Sequence, residues 1–456
     1  MAKKDAYIAS HRFGLGPRPG EIEAASSDPR RWVVDQISPS PLPAELHDLD
    51  TTQERLEQFY QQKEMQAEGG GRLVFRERVL PEIATCFQLR VNTERPLLER
   101  MVAFWSNHFT IGVGRARAAV LAPVFQREAI RPNVFARFEE LLLAAVTHPA
   151  MLDYLDNVRS VGARSPLGAR RGLSLNENLA REVLELHTLG VDGGYTQPDI
   201  ENLAAILSGW GVYDPRLEAK RPRFERLMRG EPVSVGVGSS TFYHFAHEPG
   251  PKILLGKRYA EDGPDELRRA LRDLASHPST ARFVATKLAR HFVADEPPEP
   301  VIKKLVRVYR ETRGDLAAVT KAVALTERAW STPWAKAKTP QDYIVSSLRV
   351  TGMRSIASIQ LGESLTQMGQ TPFGAPSPQG WADTASAWLT PGSLMRRVEW
   401  AQGLARQLAG SMNPNTLLQG SLGPLASTAT QRLVSRAASP GDAIAFVLAS
   451  RELQRR

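Results

Sequence analysis

Apolar residues recur at three- and four-residue spacing along most of the chain, the pattern of amphipathic helices. The stretch GEIEAASSDPRRWVVDQI (20–37) predicts one helix with a break near Asp28-Pro29. A proline-rich connection (38–46) follows, then the polar helix QERLEQFYQQKEMQAE, broken by GGG at 69–71. PLLERMVAFWSNHF predicts a helix from Pro96, a residue suited to the first turn. RFEELLLAAVTH and AMLDYLDNV predict two more, parted by Pro149. The stretch 158–173 is rich in Gly, Ser and Pro, carries arginines and no acid, and predicts a mobile loop. Ser174 and Glu177 have capping-box spacing, which predicts a helix from about Leu175 to Leu189, stopped by Gly190. Thr196 and Asp199 make a second box, opening a helix that ends near Gly209. Only PVSVGVGSSTFYH (232–244) and KILLGKRY (252–259) alternate and carry β-branching as strands do, after a charged stretch expected to be exposed (216–231). Helical patterns then resume, interrupted by an irregular Pro/Gly/Trp segment at 371–392. No internal repeat of fixed period is present.

The pattern predicts a mainly α fold: one large helical domain with a small β-hairpin insertion. Its parts are an amino-terminal helical part (1–92), a core motif region (93–215), a β-containing insertion (216–262) and a carboxy-terminal helical part (263–456). Composition changes this picture little. A hydrophobic fraction of 42% is enough for a sizeable core, and no apolar run is long enough for a membrane span. The net charge of +9 admits anionic partners, but the arginines are scattered and no basic stripe alternates with aromatics, so nucleic acid is not the expected partner. One cysteine, Cys86, makes neither an intramolecular disulfide nor a cysteine-based metal site. The start, MAKKDAYIAS, has no apolar segment of the secretory kind, and the expected location is cytoplasmic.

Candidate chemistry gathers in SLNENLAREVLELHTLGVDGGYTQPDIENL (174–203). On a regular helix Asn178, Arg181, Glu182 and Glu185 share one face, and His187 lies on another. Two carboxylates one turn apart can divide acid and base roles when their surroundings differ, and an adjacent arginine can hold an anion. The plain alternative is an exposed Arg181–Glu185 pair. Asp192, in the glycine-rich turn, resembles part of a calcium loop. Thr188 and Gly190 stand where two of its carboxylates belong, so no metal is expected there. Asp153, Asp156 and Asn157 share a second polar face, which the basic stretch 158–173 joins to the first. Arg100 and His108 add binding candidates, with His108 among Leu97, Met101 and Phe104. His244 and His247 have metal-pair spacing without a third ligand. His277 and His291 bracket a helix whose Arg282, Lys287 and Arg290 are possible anion contacts. No phosphate loop, dinucleotide glycine fingerprint or G-x-S-x-G is present.

ERMVAFWSNHFTIG, MLDYLDN, NENLAREVLELHTLGVDGGYTQPDIENLAAILSGW, HEPGPKILLG, HPSTARFVATKLARHFVADEPP and the closing FVLASRELQRR together resemble the bacterial family catalogued as domain of unknown function 1800. The resemblance runs from about residue 10 to 456 and implies one full-length family domain. It also implies relatives that look exported and often neighbour sulfatase-like proteins. This chain departs from them in lacking an evident signal peptide. The family transfers no residue roles and names no cofactor.

Two functions are expected from these readings. One is a hydrolase acting on an anionic or carbohydrate substrate through Glu182, Glu185, Asp153 and Asp156, with Asn157, Asn178, Arg181, Asp192, Arg100 and His108 as binding residues. The other is a non-catalytic binding or assembly protein that uses the same face as a groove for a protein partner.

Overall fold

The computed structural model describes residues 2–65, 75–212, 233–234 and 240–456. The break expected at 69–71, the charged stretch 216–231 and residues 232 and 235–239 of the strand expected at 232–244 lie outside these residues. The described chain is mainly α with a small β hairpin.

Local chemistry sets the helix starts. Asp28 accepts the N–H of Arg31 and Pro29 takes the first turn, so the 20–37 pattern divides into Glu21–Ala25 and Pro29–Val34. Pro96 opens Pro96–His108. Thr196 and Asp199 form the reciprocal box expected before Gln197–Leu207. Pro149 parts Phe138–Thr147 from Pro149–Tyr154, and the His148 ring accepts the Ala150 N–H between them.

Two expectations are corrected. Ser174 caps nothing: its carbonyl accepts the Val161 N–H at 3.2 Å, and the helix starts at Asn178, whose N–H is held by Asn176 Oδ1. Nor is 158–173 a loop throughout. Ser165 caps a helix at Pro166–Arg171, and Gly172 closes it with φ 64°. A Ser-Pro pair reads as loop composition, yet it is also a cap followed by a favoured first residue. The approach to this helix is tight. A Cβ on Gly168 would stand 2.0 Å from the Gly162 carbonyl oxygen, the Gly162 N–H binds the Ala246 carbonyl, and Arg164 Nε meets Glu248 at 2.6 Å.

Strand β1 (Trp210–Val212) pairs antiparallel with β3 (Ser240–Phe242), which has β2 (Val233–Ser234) on its other edge; Trp210 stands opposite Phe242. Strands β4 (Lys252–Leu254) and β5 (Lys257–Tyr259) form the hairpin. Leu255 and Gly256 both have positive φ, as a two-residue type I′ turn requires. The N–H groups of Leu255 and Ile253 donate to Asp199 and Asn202, which fixes the hairpin to the Gln197–Leu207 helix.

Buried apolar side chains form one large cluster running from Ile8 to Trp330, and a second in which Leu15, Phe87 and Val91 join residues from Tyr343 to Leu453. The termini of the described chain meet. Lys336 and Arg456 exchange backbone hydrogen bonds of 3.1 and 2.8 Å, and Arg12 Nη2 donates to the Arg456 carbonyl at 3.2 Å. Among the described residues no helix is long and apolar enough to cross a membrane.

Candidate functional site

The polar face begins as a regular helix, Asn178–Glu182, and continues as a π-helix, Val183–Thr188. Thr188 Oγ1 donates to the Val183 carbonyl at 2.6 Å and Leu189 N–H to the Leu184 carbonyl at 2.9 Å, each five residues back. The 3.6-residue wheel therefore stops applying at Val183. Arg181 bonds Glu177 at 3.1 Å and Gln197 at 3.2 Å, and lies 3.7 Å from Glu185. Asn178 and Asp192 are exposed, and Arg181, Glu182 and Glu185 are partly exposed. Burial and the neighbouring Glu185 push the Glu182 carboxyl up, and Arg181 partly offsets them. Burial and then Glu182 raise Tyr154; burial and a hydrogen bond to Glu185 push Tyr195 up to about 12.

Asp153 and Asp156 do not face these glutamates as free carboxylates. Arg117 binds Asp153 through Nε at 2.8 Å and through Nη2, while Arg115 grips both oxygens of Asp156. The Asn157 amide donates to the carbonyls of Leu207 and Trp210. The second polar face is thus bound into the fold by arginines from the start of the Ala116–Phe125 helix and by strand β1. Sequence spacing within 153–157 carries no sign of those distant partners.

The histidines separate by environment. His247 lies in a buried network with Glu266 and Lys252, at 3.0 Å from each. Among the described residues no group of three or more His, Cys, Asp or Glu side chains is placed to hold a metal ion. His187 is 1% exposed, and its ring centroid lies 5.0 Å from that of Phe109 and 6.1 Å from that of His108. Neither of its ring nitrogens has a hydrogen-bond partner among the described residues, so it makes no hydrogen bond to Glu182 or Glu185. His108 is buried too; its Nε2 donates to the His187 carbonyl at 3.1 Å, and its Nδ1 has no partner among the described residues.

A cavity of about 140 Å³ opens where the two apolar clusters meet, between the Pro96–His108 helix, the Leu80–Asn92 helix, the start of Pro340–Val350 and the irregular segment 370–381. Phe87, Phe104, Ile111, Phe125, Phe373 and Trp381 supply apolar walls, and Asn107, Gln126, Gln341 and Gln370 supply amides. The Asn107 side chain clamps the segment that covers it, donating to the Trp381 carbonyl at 2.9 Å and accepting its N–H at 2.7 Å.

Arg100, a sequence candidate, lines this cavity and is 2% exposed. Its Nε donates to the Gly14 carbonyl at 2.7 Å and its Nη1 to Asp342 at 3.1 Å; Nη2 has no hydrogen-bond partner among the described residues. Behind Arg100 stands a buried charge network that local motifs did not reveal. Arg456 lies 3.7 Å from Asp342 and 3.8 Å from Asp383, and Asp383 accepts from His291 Nδ1 at 3.1 Å. Lys336 reaches Asp295 and the Asp383 carbonyl. Burial opposes charge on both aspartates, but Arg100 and Arg456 hold Asp342 far below the carboxylate range, and His291, Lys336 and Arg456 bring Asp383 down to about 2. Burial and Arg456 lower His291 to about 4, so it stays neutral at pH 7. The tautomer that suits both neighbours carries its proton on Nδ1 toward Asp383 and accepts at Nε2 from Arg456, 3.2 Å away.

No curated protein and no solved structure matches the chain. The family model described as "Protein of unknown function (DUF1800)" matches residues 8–455, and the chain belongs to that family.

Proposed function

We propose that the chain binds a small organic anion in the cavity beside Arg100. The observation that carries this reading is the charge of the cavity wall: two guanidinium groups, Arg90 and Arg100, stand against one carboxylate, Asp342. His291 is neutral, and burial pushes the Cys86 thiol up to about 12, so neither offsets the surplus. A bound monoanion completes the balance in a site where an unpaired charge is costly. The volume matches a ligand of one ring, since a cavity of about 150 Å³ holds benzene. Aromatic walls and amides suit an aromatic or alicyclic carboxylate.

The test is thermal unfolding with benzoate and with its neutral isostere benzamide. Benzoate is expected to raise Tm with concentration, while benzamide does not. Ala103→Leu, which fills the cavity without touching a charge, removes the response. Equal shifts with both compounds, or benzoate shifts unchanged in the Leu variant, reject the site.

A second reading keeps hydrolysis of an anionic or carbohydrate substrate at Glu182 and Glu185. It is favoured by the partly buried Glu182 carboxyl, which burial and then Glu185 push up, the direction a general acid requires. Glu182→Gln then abolishes turnover of an anionic glycan and leaves Tm in place. Turnover that survives the change removes this reading and leaves the face as a groove for a protein partner.

A further inference from the structure

We infer that Lys287 is a reactive amine, placed to form an imine with a small carbonyl compound, an aldehyde or a 2-oxo acid. Lys287 lies on the Pro278–Phe292 helix, one turn before His291, and is half-buried. No carboxylate lies within ion-pair distance of it, and no hydrogen-bond acceptor holds its ammonium among the described residues; its Nζ lies 5.4 Å from the centroid of the Phe283 ring. Phe283 in turn stands 6.1 Å from His108, which stands 6.1 Å from His187. Along this row of rings three nitrogens, Nδ1 of His108 and both of His187, lack hydrogen-bond partners among the described residues.

This is unusual on two counts. Buried polar atoms normally find partners, and three unpaired nitrogens in one neighbourhood point to something that binds there. A lysine usually keeps its ammonium in water or against a carboxylate, whereas this one has neither in full. The groups acting on it are named readily. Burial lowers its affinity for a proton, Asp383 raises it and Arg290 lowers it, with a net fall to about 8. Lys287 in turn pushes down both His108 and His187. Near neutral pH a sizeable share of Lys287 is therefore the free amine, which is the nucleophile.

The step balances without a further reactant. The Nζ lone pair adds to the carbonyl carbon as the C=O π bond breaks, and a proton moves from nitrogen to oxygen to give a carbinolamine. Loss of that hydroxyl as water, with the second amine proton, leaves the C=N bond.

The experiment uses the intact chain, glyoxylate as carbonyl probe and cyanoborohydride to trap the imine, with peptide mapping of the resulting carboxymethyl-lysines. Lys303, which is exposed, is the internal control. At pH 8 the initial rate at Lys287 is expected to exceed that at Lys303 by about 10-fold or more, since an ordinary lysine near 10.4 is almost wholly protonated there. Its rate is half-maximal near pH 8, whereas that of Lys303 still climbs above pH 9. Repeating the labelling in denaturing urea abolishes the preference. Labelling of Lys287 at or below the rate of Lys303 in the folded chain, or a preference that persists in urea, overturns the inference.

Discussion

Two arginine–carboxylate groups in this molecule have similar chemistry and opposite settings. On the 177–197 face, Arg181 spans Glu177 and Glu185 with side chains that are 41, 34 and 25% exposed. Around the cavity, Arg100 and Arg456 converge on Asp342 with side chains that are 2, 1 and 15% exposed. Water screens the first group, so its members stay exchangeable. The second group has no such buffer, and each charge there depends on the others. The densest polar motif in the sequence is thus the lesser contributor to stability, and residues scattered over the whole chain hold the charged core.

The strongest way to break this contrast is Asp342→Ala. It removes the carboxylate that Arg100 and Arg456 share and is expected to destabilise by about 3–5 kcal/mol in urea unfolding. A loss under about 1 kcal/mol would place the network in the screened class with Arg181.

Acid titration is the next largest effect. His291 and His187, lowered to about 4 and about 3, remain neutral in the fold while the unfolded chain takes up protons below 6.5. Stability therefore falls as pH drops from 6.5 toward 4. Asp383, depressed to about 2, contributes stability that is complete above its ordinary 3.8 and is lost between there and 2. That contribution is about 2 kcal/mol at neutral pH. Glu182 has the opposite sign, because its raised pKa makes the fold take up a proton earlier than the unfolded chain does. Asp383→Asn should flatten the stability curve between pH 4 and 2, and an unchanged slope would remove Asp383 from the network.

Smaller effects belong to the exposed face. Arg181→Ala is expected to lower stability by at most about 1 kcal/mol, and less in high salt. Glu182→Gln should stay within about 0.5 kcal/mol of the parent, on the stabilising side near neutral pH, because it removes a penalised charge. A large loss from either would mean that this face is built into the core after all.

Local signals in the sequence had local consequences. Pro96, Asp28-Pro29 and the Thr196–Asp199 box mark helix starts because a cap involves only three or four neighbouring residues. The mainly α fold and the hairpin at 252–259 follow from periodicity on the same scale. The wheel failed at Val183 because a π-helix keeps the composition of an α-helix while changing its angle per residue. Asp153 and Asp156 read as a free acidic face because their arginines, Arg117 and Arg115, lie 36 and 41 residues away. The sequence offered Arg100 as a binding candidate and gave no sign of the cavity it lines. Asp342, Asp383 and Arg456 come to it from separate segments, and no spacing rule links them.

The contact between Arg12 and Arg456 spans 444 residues. Non-local contacts of this kind slow folding, because the intervening chain must be ordered before they form. The charge network behind the cavity is fastened at this closure, so Asp342 and His291 lack Arg456 until the two distant segments meet. A ribosome-bound chain stopped at residue 330 would carry the large apolar cluster and the glutamate face, but not Asp342, Asp383 or Arg456. The proposed anion binding would follow that closure, and protease resistance of the first cluster would come earlier.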